Sequence, residues 1–175
     1  MFLGYATGAL FNYGGGGGNF LCLHEDPQWK TYLNGHQSLT APMGGVEYEL
    51  YDKGRNRNNI FSETNNGGRP LLNNPAPCAV CYVPHRSTSL MIPARTQCPD
   101  GWSKEYGGYL VADYSGPRHN RKRSSYICFD EAPEIAVGSV SQNHAVIYPA
   151  EVHCGTLPCS VYLHGRELTC VVCSK

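Results

Sequence analysis

"NFLCLHEDP", residues 19–27, decides how this chain is read, because "SYICFDEAP", residues 125–133, repeats its pattern. Each carries an aromatic residue, an aliphatic one, a cysteine, an apolar residue, then acidic residues and a proline. Further echoes lie on both sides. "GYATG" at 4–8 answers to "GYLVA" at 108–112, "EYELY" at 47–51 sits where "AVIYPAE" stands at 145–151, and "PCAVCYV" at 77–83 matches "TCVVCSK" at 169–175. Four matches in one order mark an internal duplication. The boundary falls in "RSTSLMIPARTQCP", residues 86–99, so that 1–92 form a first β repeat and 93–175 a second.

Each repeat reads as β. The apolar runs are short, rich in Tyr, Val, Ile and Phe, and bounded by Gly, Pro and Asn clusters. No window carries a helical stripe, and 20 Gly with 12 Pro would break most helices. Between the first strand and the cysteine strand, one copy has "ALFNYGGGGG" and the other "DYSGPRHNRKRS". Positions that are glycine in one copy and basic in the other mark a surface loop free to vary. The glycine run is therefore a hairpin connection; no Lys-Ser/Thr follows it, so it is not a phosphate loop. Two such β units are expected to pack their apolar faces together as one globular unit.

Net charge is zero and 16% of residues are charged, so no whole-chain field draws the protein to nucleic acid. No apolar run approaches the roughly 20 residues of a spanning helix, so no membrane insertion is expected. Nine cysteines make either zinc or disulfides possible. Two C-x-x-C pairs, Cys78/Cys81 and Cys170/Cys173, have zinc-site spacing. They would leave five cysteines in apolar or turn contexts, which suit disulfides across a loop-rich β fold. An extracellular, secreted protein is expected. "MFLGYATG" has neither a positive n-region nor an apolar h-region, so no signal peptide is read in it, and either a processed or truncated start or an added Met1 is expected. The fold class read from these features is all-β, a disulfide-rich tandem duplication of two similar β subdomains.

The stretches "NFLCLHEDP", "PCAVCYV", "LMIPARTQCPDGWSKEYGGYLVA", "YICFDEAPE" and "ELTCVVCSK" support a sharper identification. In the second repeat the cysteines run Cys98-Pro, Cys128, Cys154, Cys159, then Cys170-x-x-Cys173. This resembles a repeat of the noncollagenous carboxy-terminal domain of type IV collagen, itself a tandem duplication. The chain is more similar still to the terminal domain of sponge-type short-chain collagens and their relatives in other marine invertebrates. The resemblance implies the disulfides Cys98–Cys173, Cys128–Cys170, Cys154–Cys159 and Cys22–Cys78. It leaves Cys81 unpaired or intermolecular, since the cysteine that would precede Gly4-Tyr5 is not in this sequence. The first repeat lacks the Cys154/Cys159 pair and has the Asn-rich "DKGRNRNNIFSETNNGGRPLLNNPAP", residues 52–77, in its place. Such a long polar loop is expected to carry recognition.

Catalytic motifs are missing: there is no G-x-S-x-G and no H-E-x-x-H, and "GHQSL" at 35–39 lacks the second glycine of a nucleophile elbow. The protein is not expected to be an enzyme or to need a cofactor. Glu25/Asp26 and Asp130/Glu131 read as strand-end caps ahead of prolines rather than acid/base or calcium pairs. Seven histidines are scattered without metal spacing, so no metal site is expected. The basic loop Arg118, Arg121, Lys122 and Arg123 reads as a solvated loop, with sulfated glycans or phosphates as its alternative. The function read from the sequence is a secreted, oligomeric, lectin-like module. Trp29, Tyr32, Asn34 and His36, with Asn143 and His144 in the other copy, supply the aromatic faces and polar donors that sugars require. The partners would be glycans or glycoproteins and further copies of the chain. The alternative is a matrix-assembly or trimerisation module of a short-chain collagen-like protein, as the resemblance implies. The chain has no G-x-y repeat for such a module to register.

Overall fold

Short apolar runs punctuated by Gly, Pro and Asn become short strands, as the backbone preferences of those residues dictate. The computed structural model describes residues 1–11, 18–35, 41–49, 51–52, 55–56, 60–113, 124–138 and 144–175. Among them lie β1 (Phe2–Ala9), β2 (Leu21–His24), β3 (Met43–Tyr48), β4 (Tyr51–Asp52), β5 (Arg55–Asn56) and β6 (Pro77–Val80). They are followed by β7 (Ser89–Pro93), β8 (Ser103–Ala112), β9 (Ile127–Asp130), β10 (Ala145–Pro149) and β11 (Thr169–Ser174). The protein is all-β, and no α-helix occurs among the described residues.

Nine strands form one curled sheet in the order β2-β1-β3-β10-β8-β11-β7, with β6 also pairing β1 and β9 also pairing β8. β4 and β5 pair with each other. All pairings in the large sheet are antiparallel except β3 with β10, which run parallel through Val46–Ala145 to Tyr48–Ile147. That pair joins the halves edge to edge. The expected face-to-face packing of two units is therefore corrected: backbone hydrogen bonding joins them at their inner edges. β7 straddles residues 92 and 93, and it pairs with β11.

Several registers around β1 and β8 run alike. Gly4 pairs with His24 and Cys78, as Gly108 pairs with Asp130 and Cys170. Tyr5 pairs with Leu23 and Pro77, as Tyr109 pairs with Phe129 and Thr169. Ala76 N–H donates to Val46 and Leu168 N–H to Ala150, both at 2.9 Å. Asn73, with φ 61°, donates to the Tyr48 carbonyl, and Gly165, with φ 78°, donates to that of Val152. Strand ends are capped alike: His24 Nδ1 accepts from the Asp26 amide at 2.9 Å, and Asp130 Oδ1 accepts from the Ala132 amide at 2.8 Å. Asp130 thus does the capping expected of the acidic pairs.

Two clusters form the core. The larger gathers Val46, Tyr48, Phe61, Leu71, Ala76, Val111, Ala145 and Ile147, drawn from both halves. The smaller is Leu110, Cys128 and Cys170. β11 lies between β7 and β8 and reads "TCVVCS", with Cys170, Val171 and Cys173 fully buried; a strand covered on both faces needs such a continuous apolar run. Four disulfides staple the sheet: Cys22–Cys78, Cys98–Cys173, Cys128–Cys170 and Cys154–Cys159, with Cα–Cα distances of 5.7, 5.9, 5.6 and 5.1 Å. They indicate an oxidising, extracellular-type compartment. Cys22–Cys78 links β2 to β6 as Cys128–Cys170 links β9 to β11, so each spans the strand between its partners.

Tyr48 is buried at the centre, with its ring edge-on to Phe129 and its hydroxyl donating to the Glu134 carbonyl at 2.5 Å. Burial, then the Glu134 and Asp130 carboxylates, push its phenol far above the ordinary 10.0. Burial and Asp130 raise Tyr106 as well. Above pH 10 the unfolded chain loses these protons while the fold retains them, so stability falls as pH rises past 10. Tyr48→Phe is expected to cost about 1 kcal/mol at neutral pH and to flatten the alkaline loss. Urea midpoints at about pH 8 and about pH 11 measure both effects, and an equally steep alkaline loss in the variant would refute the assignment.

Candidate interaction surfaces

The described residues among those singled out for sugar binding lie on different chain segments. Trp29 and Tyr32 lie in the irregular segment after β2, 77% and 68% exposed, and Asn34 is exposed beside them. His144 is exposed just before β10; its backbone carbonyl accepts from the Phe11 amide, and its Cβ fills the space over Gly44. No hydrogen bond or ring contact among the described residues joins Trp29 or Tyr32 to His144. His36 and Asn143 lie outside the described residues, as do Arg118, Arg121, Lys122 and Arg123. The roots of the glycine-rich and basic loops are tied together. Ser125 N–H donates to the Gly18 carbonyl at 2.9 Å, Ser125 Oγ meets Asn19 Oδ1, and Ser124 Oγ accepts from the Asp113 amide at 2.8 Å.

The Asn-rich loop is not a free recognition loop over its described part, and the expectation for 52–77 is corrected there. Phe61, Leu71 and Ala76 are buried at 4%, 0% and 1% exposure. Phe61 lies edge-on to Tyr109 and Phe129, on one face of the β8–β9 pair. Asn66, itself buried, donates from Nδ2 to the Pro133 carbonyl at 3.0 Å and accepts at Oδ1 from the Ile135 amide at 2.9 Å. Asn65 Nδ2 donates to the Ala132 carbonyl, and the Ser62 amide donates to Glu131 at 2.7 Å. Asn66 turns inward because the 131–135 turn presents carbonyls and an amide that need partners. A composition rich in Asn and Gly hides this; the apolar Phe61 and Leu71 within it were the available signal.

The corresponding face of the first half is open. Leu3, Tyr5, Leu21 and Leu23 are 60%, 42%, 50% and 46% exposed on adjoining β1 and β2. By register Tyr5, Leu21 and Leu23 match Tyr109, Ile127 and Phe129 on β8 and β9, all packed against the larger core, while Leu3 matches Gly107. The matching loop is open too. Leu71 is buried and its carbonyl accepts from the Asn74 amide, while Leu163, whose carbonyl accepts from Arg166 in the same way, is 44% exposed beside Val161 at 71%. One loop is seated on a sheet face, and one loop and one face remain bare.

Cys81 is exposed and free at the end of β6, as the resemblance implies. Two further features escape a reading of the sequence. Arg86 is bound by the Glu105 carboxylate and by Ser174 Oγ at 3.0 Å, which ties the 86–88 segment to the end of β11. His153 and His164 meet with ring centroids 4.5 Å apart, so the histidines are not all isolated as expected. The Gly165 amide, donating to the Val152 carbonyl at 2.9 Å, brings their segments together. No helix among the described residues is long and apolar enough to cross a membrane. No family model matches the chain, and no solved structure matches it.

Proposed function

We propose that the protein is a self-association module of an oxidising, extracellular setting, in which the 152–168 loop of one copy docks on the β1–β2 face of another. On this reading the halves are two copies of one β unit, and the matching ladders support that equivalence. The observation that carries it is internal: the 60–76 loop of the first half already seats Phe61 and Leu71 against the β8–β9 face of the second. An intermolecular contact of the same kind would cover Leu3, Tyr5, Leu21 and Leu23 with Leu157, Val161 and Leu163 of the next copy. A contiguous exposed apolar face on a disulfide-stapled sheet is the usual mark of an interface. The contact is heterologous, so it closes into a ring or propagates. The resemblance to noncollagenous collagen domains favours the same reading.

Leu23→Asp and Leu163→Asp are each expected to weaken association at least about tenfold, read by light scattering or sedimentation across concentration. Mixed in equal amounts, the two variants retain one intact face and one intact loop, and they are expected to form dimers that grow no further. A protein that stays monomeric at about 100 µM, or associates regardless of both changes, would remove the proposal. A second reading, carbohydrate binding, is favoured by the exposed Trp29 and Tyr32, whose ring faces suit pyranose stacking. A glycan array run on the wild type and Trp29→Ala is its test, and signal insensitive to that change would set it aside.

A further inference from the structure

We propose that His153 and His164 form a bidentate imidazole site for a divalent transition ion of the Zn²⁺, Ni²⁺ or Cu²⁺ class. The two rings are already in contact, 4.5 Å between centroids and inclined at 73°, and both residues are exposed, so an ion from solution can reach the pair. Imidazole is a preferred ligand for these ions, and the Irving–Williams order places Cu²⁺ above Ni²⁺ and Zn²⁺ for such a pair.

What makes the pair a site is its scaffold. The Val152 amide donates to the Arg166 carbonyl and the Gly165 amide donates to the Val152 carbonyl, each at 2.9 Å, which clamps the neighbours of both histidines across the base of the loop. Cys154, adjacent to His153, is bonded to Cys159, and the Pro158 carbonyl accepts from the amides of Val161 and Tyr162. The backbones carrying the imidazoles are therefore held before any ion arrives, and little conformational entropy remains to be lost on chelation. No group of three or more His, Cys, Asp or Glu side chains is arranged for a metal among the described residues. Two imidazoles bind and water completes the shell, so the ion exchanges readily and remains open to a further ligand.

The test uses the full chain carrying Cys81→Ser, so that the exposed thiol does not compete. Titration with Ni²⁺, followed by calorimetry, is expected to show one ion per chain. His153→Gln and His164→Gln are each expected to weaken binding at least about tenfold, and the double variant little more than either alone. Both residues are exposed, and unchanged melting temperatures would show that the variants fold. With the histidines unsubstituted, paramagnetic Ni²⁺ is expected to broaden the ring resonances of His153 and His164 before those of His24, His85 and His144. Broadening that begins elsewhere, binding indifferent to both substitutions, or no binding would each overturn the assignment.

Discussion

Gly108→Ala is expected to prevent folding. A Cβ at Gly108 would stand 1.9 Å from the Phe129 carbonyl oxygen and 2.6 Å from the Glu131 amide nitrogen. Both are backbone atoms, so no side-chain rotation relieves the clash. Moving them means opening the ladder in which Gly108 faces Asp130 and Leu110 faces Cys128, and that ladder is anchored by Cys128–Cys170. Domains are stable by only about 5–15 kcal/mol, and losing one central pairing together with the core it carries consumes most of that. Gly4 is in the same position against the Leu23 carbonyl, at 1.8 Å, and Gly4→Ala is expected to damage the first half in the same way. Gly45→Ala is the control: nothing lies within 4 Å of its Cβ, and the change is expected to stay within about 1 kcal/mol of wild type. Circular dichroism melts of the three oxidised proteins measure the contrast. A Gly108→Ala protein melting within a few degrees of wild type would show that β9 does not sit on β8 in this register.

Loss of the Cys128–Cys170 bridge is the second large effect. The bridge closes a 42-residue separation and lies in the smaller core, with Cys170 fully buried. Chain-entropy arithmetic assigns such a closure about 4 kcal/mol, and truncating two buried side chains adds a cavity cost. By the same arithmetic Cys154–Cys159, with a separation of 5, is worth about 2 kcal/mol, and its cysteines are not buried in the core. Replacing Cys128 and Cys170 together with alanine is therefore expected to yield a protein that melts far below wild type or does not fold at 37 °C. The Cys154/Cys159 double alanine variant is expected to keep its fold. Scanning calorimetry of the two variants ranks them, and the reverse order would mean that stability lies in the loop rather than in the sheet.

The bare face and the bare loop give the docking proposal its physical basis. A sheet that leaves Leu3, Tyr5, Leu21 and Leu23 half in water forgoes burial worth about 25 cal/mol per Å² of apolar area. Tyr109, Ile127 and Phe129, which match Tyr5, Leu21 and Leu23, recover it by packing against the larger core, with Phe61 edge-on to Tyr109 and Phe129. What the chain achieves once within itself, a second copy can supply again.

Several features of this fold were legible in the residues because they are local. The strand content follows from short β-branched and aromatic runs, and the paired motifs around Cys22 and Cys128 place like strands in each half. The pairs Cys22–Cys78 and Cys128–Cys170 came with the family resemblance, since spacing alone also fits zinc. The sugar-site residues were chosen for their chemistry, and the fold leaves Trp29 and His144 on different segments without a shared contact.

Local pattern determined that the chain is β, that Cys22, Cys78, Cys128 and Cys170 lie in strands, and that its turns fall at Gly, Pro and Asn. Only the tertiary structure decided that β3 meets β10 in parallel, that Asn66 turns inward, that Phe61 is core, and that His153 meets His164. Strand and turn preferences act within a few residues, whereas which face is covered depends on segments brought together from distant parts of the chain. That choice is made by burial and by the pairing of backbone groups across the whole sheet.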